Sequence, residues 1–145
     1  MTMLTDPKQL VIKVYEALAK GDRQRLQDLM APEVQWSDNA PPEMRGGGTF
    51  FGIDAIIKYV ASNIGETTTF KIEREWMMSE ENRVVVLIHE MARVQRTKRM
   101  FEIFSIHVFT FVDGKVVKFE NFFDPTPILK ATYDITYTEA EALAE

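Results

Sequence analysis

The stretch from Phe101 to Asp124, FEIFSIHVFTFVDGKVVKFENFFD, limits the fold more than any other part of the chain. Asp113-Gly114 stands between two runs of alternating apolar residues. Asp-Gly in that setting is the strongest short-range signal of a β-hairpin, because the tight turn needs positive φ at its central residues. Side chains alternate across a strand, so Phe101, Ile103, Ser105, His107, Phe109 and Phe111 are expected on one face. By the same rule Val116, Lys118, Glu120, Phe122 and Asp124 are expected to share a face of the second strand. Polar groups set among aromatics on a sheet face point to the lining of a pocket.

The rest of the chain reads as what encloses that pocket. Asp6-Pro7 is a helix start, and Leu10, Val11, Val14, Ala17 and Leu18 recur at helical spacing, with Tyr15 one turn from Val11 and Leu18. Gly21 ends this helix, and Asp22 opens a short second one carrying Leu26, Leu29 and Met30, which Pro32 closes. Glu33 to Ser37 reads as a short strand with Val34 and Trp36 on one face. Asp38 to Gly52, rich in Pro and Gly, reads as one long loop, with Met44 to Phe51 as a lid over ligand. Ile53 to Ile64 is an amphipathic helix with Gly65 as its stop. Long strands follow at Thr67 to Ser79 and Arg83 to Gln95. A tight turn at Thr97-Lys98 would set Arg96 against Arg99, Ile88 against His107, and Glu90 beside Ser105 within reach of His107. A slip of one residue would bring His89 there instead. After Asp124, Pro125 and Pro127 break the strand, Ile128 to Tyr137 packs across one end, and Glu139 to Glu145 forms a short helix. Helices grouped on one face of a curved, mainly antiparallel sheet make an α+β fold.

Composition narrows the function. A chain of 145 residues, 46% hydrophobic and 27% charged, is expected to be a single soluble domain, residues 1–145, with its core over about residues 7–128. A formal charge of -5 argues against a nucleic-acid partner, and no apolar run is long enough for a membrane span. The N-terminus lacks an export pattern, so the expected location is the cytoplasm. The basic cluster Arg93, Arg96, Lys98 and Arg99 reads as a solvated hairpin tip. With no cysteine, thiolate chemistry is excluded. No cofactor is expected: Gly46-Gly47-Gly48 precedes no lysine, and no metal-ligand motif joins His89 or His107.

VYEALAKGD, the VQW strand with its Pro/Gly loop, FGIDAIIKYV and the closing HVFTFVDGKVVKFENFFD resemble the SnoaL-like branch of the nuclear transport factor 2-like superfamily. That superfamily includes ketosteroid isomerases, limonene epoxide hydrolases, scytalone dehydratases and polyketide cyclases. The resemblance implies a cone-shaped, cystatin-like α+β barrel in which three N-terminal helices pack on a curved, mainly antiparallel sheet. It also implies a homodimer through the open sheet face, for which Trp76 and Met78 are suited. Against the ketosteroid isomerases, Tyr15 falls on the tyrosine that donates to the oxyanion and Asp38 on the aspartate base. His107 replaces their protonated aspartate. Against the epoxide hydrolases, Glu90 and Asp124 fall on the two catalytic acids, but Ile88 replaces the arginine that bridges them, which argues against that mechanism.

Two carboxylates and an imidazole in one apolar pocket would have their titrations pushed apart, giving an acid and a base near neutral pH. The expected function is therefore acid/base catalysis on a small hydrophobic carbonyl compound, as an isomerase, cyclase or dehydratase. Asp38, His107, Tyr15, Asp124 and Glu90 are the expected catalytic groups, and Trp36, Phe51, Phe109 and Phe122 the expected ligand contacts. The alternatives are a non-catalytic module that binds a hydrophobic ligand or a partner protein in the same cone, and a structural dimer module.

Overall fold

The helix starts at Asp6 and Asp22 and the stop at Gly21 are realised in the backbone. The computed structural model describes residues 6–40 and 48–133, without the side chains of residues 63–65. Helix α1 spans Pro7–Lys20; the Asp6 carboxylate accepts the N–H of Lys8 at 3.0 Å, and Gly21 closes the helix at φ 62°. Helix α2 spans Arg23–Leu29 and is capped by Asp22, which accepts from the Arg25 N–H at 3.1 Å. Here the first correction appears, because Met30 and Pro32 belong to strand β1, Met30–Asp38, rather than to the helix end. Pro32 lies where the pairing of β1 is irregular, between Met30 and Gln35, so its missing N–H removes no regular ladder bond.

The expected long loop is partly strand. Gly48–Phe51 forms β2, antiparallel to β1 with Asp38 opposite Gly48, while residues 41–47 lie outside the described residues, and with them half of the expected lid. Helix α3, Ile53–Glu66, runs on through Gly65 and passes directly into β3, Thr67–Glu80. Strands β4 (Arg83–Val94), β5 (Met100–Val112) and β6 (Lys115–Phe123) follow as hairpins. The Asp113-Gly114 turn has φ of 50° and 76°, as the sequence demands. One sheet results, in the order β2-β1-β6-β5-β4-β3, antiparallel except where β1 runs parallel to β6. The α+β reading holds, but the helices number four among the described residues: α4, Thr126–Tyr133, follows the sheet. The expected helix over residues 139–145 lies outside the described residues.

Two register findings position the site. The β4–β5 connection is a four-residue loop, Gln95 to Lys98, closed by Val94 N–H to Arg99 O at 2.9 Å, with Lys98 at φ 65°. Pairing therefore moves by two residues from the expected turn: Val86 faces His107, Ile88 faces Ser105, and Glu90 faces Ile103. A shift of two preserves the face, so Glu90 still points inward but two residues further from His107. In the β5–β6 hairpin a bulge falls between Thr110 and Phe111, whose partners are Lys118 and Val116. The extra residue on β6 reverses the alternation beyond it, so Phe119, Asn121 and Phe123 turn inward while Lys118, Glu120 and Phe122 turn out.

The core fills the space between α1, α2, α3 and the inner sheet face, where Val11, Val14, Leu26, Ile56, Val86 and Phe109 are fully buried. A smaller cluster joins α4 to the sheet through Ala131, Ala92, Val94 and Phe101. The basic hairpin tip is not simply solvated: Arg96, Thr97 and Arg99 donate to the carbonyls of Thr132, Ala131 and Lys130. Those are the orphan acceptors at the negative end of α4, which cationic donors stabilise.

Candidate functional site

A cavity of about 1370 Å³ lies between the helices and the inner face of the sheet. Its deep part is lined by Tyr15 of α1, Trp36 of β1, Tyr59 of α3, His107 of β5, and Phe119 and Asn121 of β6. Alternation places His107 there, since it sits between the inward Ser105 and Phe109; the tyrosines arrive on helix faces otherwise apolar. The Tyr15 hydroxyl and His107 Nδ1 are 2.7 Å apart. Burial lowers the His107 pKa to about 4, and burial raises that of Tyr15 well above the usual phenol range despite the nearby Arg74, so both are neutral at pH 7. The Arg74 guanidinium carbon lies 5.7 Å from the Tyr15 ring centroid, within cation–π range. When Tyr15 donates to Nδ1, the imidazole carries its proton on Nε2, which has no protein partner among the described residues.

Asp38 is 5% exposed and does not line the cavity. Its Oδ1 accepts the Ala40 N–H at 2.8 Å, and its Oδ2 accepts from the Tyr59 hydroxyl and from Asn121 Nδ2, both at 3.0 Å. The carboxylate thus stands behind two cavity-lining side chains and orients them. Because Asn121 Nδ2 faces an acceptor, its Oδ1 is the atom left over, buried without a partner among the described residues. Trp36 Nε1 is in the same condition, although the indole stacks on Phe119 with centroids 3.7 Å apart. A buried donor and a buried acceptor left unpaired each carry a desolvation cost.

The other expected site residues divide sharply. Glu90 lines the cavity, at its far end from His107, and burial raises its pKa. Asp124 is outside the cavity: its carboxylate accepts the N–H of Thr126 at 3.0 Å at the start of α4, and the Thr126 hydroxyl, followed by that N–H, lowers its pKa. Phe122 is 46% exposed on the outer sheet face, as the β6 bulge dictates, and Phe51 is 66% exposed on the edge strand. Phe109 is a core residue packed edge-on against Tyr15 and Phe119. Tyr59, Asn121 and Phe119 were not expected from sequence. The only trace of the bulge that brings in the last two is the consecutive Val116-Val117 after the turn.

The described residues hold one group with the makings of a metal site, Glu73, Glu75 and His89, whose potential ligand atoms lie within 4.8 Å of one another. It lies on the outer sheet face, away from the cavity, and its members come together only across the β3–β4 pairing.

The sequence model of the SnoaL-like domain matches residues 11–119, which takes in most of α1 and of the sheet, with Tyr15, Asp38, Tyr59 and His107 but not Asn121. The chain belongs to the SnoaL-like domain family. A search of curated proteins finds no match. Among solved structures, this SnoaL-like chain is similar to an NTF2-like protein from Burkholderia xenovorans LB400, with 24% identity, 86% of this chain and 93% of that one covered, and a TM-score of 0.75. It is also similar to TerC co-crystallised with polyporic acid, at 22% identity, 85% and 95% coverage and a TM-score of 0.69. A Catenulispora acidiphila DSM 44928 protein with a ketosteroid isomerase-like fold, in complex with trimethylamine, gives 13% identity, 92% and 100% coverage and a TM-score of 0.70. At these identities the SnoaL-like chain shares the fold with them. Among its described residues, no helix is long and apolar enough to cross a membrane.

Proposed function

We propose that this SnoaL-like protein is a cofactor-independent acid/base enzyme that moves a proton next to the carbonyl of a small, largely hydrophobic compound. The observation that carries this reading is the 2.7 Å bond between Tyr15 and a neutral His107 on the floor of an apolar cavity. A neutral imidazole can offer Nε2–H to a carbonyl oxygen and hold the negative charge that develops on it, without reorganising in a dry site. Asp38 takes the proton through Tyr59. As the substrate C–H proton passes to the Tyr59 oxygen, the phenolic proton passes to Asp38 Oδ2, and the carbon electron pair shifts to the oxygen held by His107. Reversal of the relay at another carbon completes an isomerisation. Asn121 ties the two ends together, since it bonds Asp38 and lies directly opposite His107 across the strands.

The test is deuterium wash-in from heavy water at the carbon next to the carbonyl of a bicyclic ketone such as 1-tetralone, followed by proton NMR. Enzyme-dependent exchange that falls at least tenfold in Tyr15→Phe is expected. Tight ketone binding with no exchange above background would leave a non-catalytic ligand carrier as the better reading.

The homodimer is part of the same proposal. Trp76, Met78, Phe104 and Phe122 are 45 to 57% exposed on the outer sheet face, an apolar surface suited to a second copy of this chain. Sedimentation equilibrium showing a monomer at micromolar concentration would refute it.

A further inference from the structure

Glu90 is a carboxyl on the inner face of the sheet that lines the cavity and that the proton relay does not use. It sits on β4 opposite Ile103, with Ile72 of β3 on its other side, so its cross-strand neighbours on both sides are apolar. It has no hydrogen-bond or ion-pair partner among the described residues. Arg74, diagonal to it on β3, holds its guanidinium over Tyr15 instead. An acid kept in such surroundings destabilises the fold, and a residue retained at a stability cost inside a ligand cavity points to binding.

The position gives the ligand its length. Ile103, the partner of Glu90, is four residues from His107 along β5, which at strand rise is about 13 Å. Resting on the function proposed above, we infer that Glu90 is a specificity-determining residue that hydrogen-bonds a hydroxyl at the far end of the substrate. The substrate class is thereby narrowed to elongated, flat hydrophobic compounds with an oxygen at each end: one at His107 and the reacting end, the other a hydroxyl at Glu90. A carboxyl that burial biases toward its protonated form can both accept from and donate to that hydroxyl. This assigns Glu90 to recognition; its distance from the Tyr15–His107 pair removes it from proton transfer.

The experiment uses para-hydroxystilbene and its para,para′-dihydroxy counterpart, which differ only in the distal hydroxyl, with binding read by stilbene fluorescence. The dihydroxy compound is expected to bind the full-length protein about tenfold more tightly, the worth of one satisfied buried hydrogen bond. That advantage should disappear in Glu90→Leu and persist in Glu90→Gln. Glu90→Leu should also keep or raise the melting temperature, whereas a purely structural role predicts a fall. Equal binding of the two probes, or an advantage that survives Glu90→Leu, overturns the inference while leaving the proton-transfer proposal intact. Failure of both probes to bind overturns the inference together with the ligand-cavity reading beneath it. Loss of ketone exchange in Tyr15→Phe, which concerns the other end of the cavity, tests that proposal separately.

Discussion

The two histidines of this chain sit on adjacent strands and opposite faces of one sheet, and nearly everything about their surroundings differs. His107 lies inside, bonded at Nδ1 to Tyr15 and edge-on to Phe119 with centroids 4.9 Å apart. His89 lies outside, with Glu75 and Glu102 carboxylate oxygens 3.3 and 3.2 Å from its two nitrogens and its ring stacked on Phe104 at 4.4 Å. The inner ring has a neutral partner and is buried, so it is held uncharged, and its Nε2 has no protein partner among the described residues. The outer ring has acids on both sides. Residue type was the same; the parity of the strand position decided which chemistry each acquired.

The largest expected effect breaks that comparison at its centre. His107→Ala should slow ketone exchange by a hundredfold or more, about 3 kcal/mol for an oxyanion contact in a water-poor site, while His89→Ala leaves the exchange rate unchanged. Equal losses in the two variants, measured by the NMR wash-in, would mean that the inner position has no special role.

Acidification should sharpen it next. The folded-state pKa of His107, about 4, lies below the unfolded value of about 6.5, so the unfolded chain binds the extra proton first. Stability from this group is fully present above pH 6.5, falls as pH drops, and is lost through pH 4. The loss is about 3 kcal/mol. Urea denaturation at pH 7 and pH 4 should show that His107→Gln, uncharged throughout, lacks this part of the wild-type acid sensitivity.

A smaller effect concerns the support behind the inner face. Asp38→Asn weakens the charged acceptor shared by Tyr59 and Asn121, and a loss of about 2 kcal/mol in unfolding free energy is expected, with slower exchange. A variant as stable and as active as the wild type would show that the carboxylate neither orients its neighbours nor receives the proton. The smallest effect belongs to Asp124→Ala. Its carboxylate serves the first N–H of α4, so exchange should be unchanged and only a slight drop in melting temperature is expected. A catalytic loss there would place Asp124 back on the cavity.

The sequence by itself determined the order of the first three helices and of the strands other than β2, the caps of α1 and the start of α2, the Asp113-Gly114 hairpin and the inward face of β5, because each depends on a few adjacent residues and on a fixed period. Asp6, Gly21, Asp22 and Gly114 act locally, and His107 faces inward by its distance from Phe109. Only the tertiary structure decided which carboxylates meet the cavity. One extra residue in the β6 bulge exchanged Phe122 for Asn121 at the wall, since the side-chain period of two turns a single insertion into a change of face. A four-residue loop in place of a tight turn slid Glu90 along the sheet without turning it. Asp38 was legible as an acid just beyond the VQW strand; its burial was not. That Tyr59 and Asn121 stand between it and the ligand depends on α3 and β6 meeting at one point, and no local pattern encodes a contact between segments so far apart in the chain.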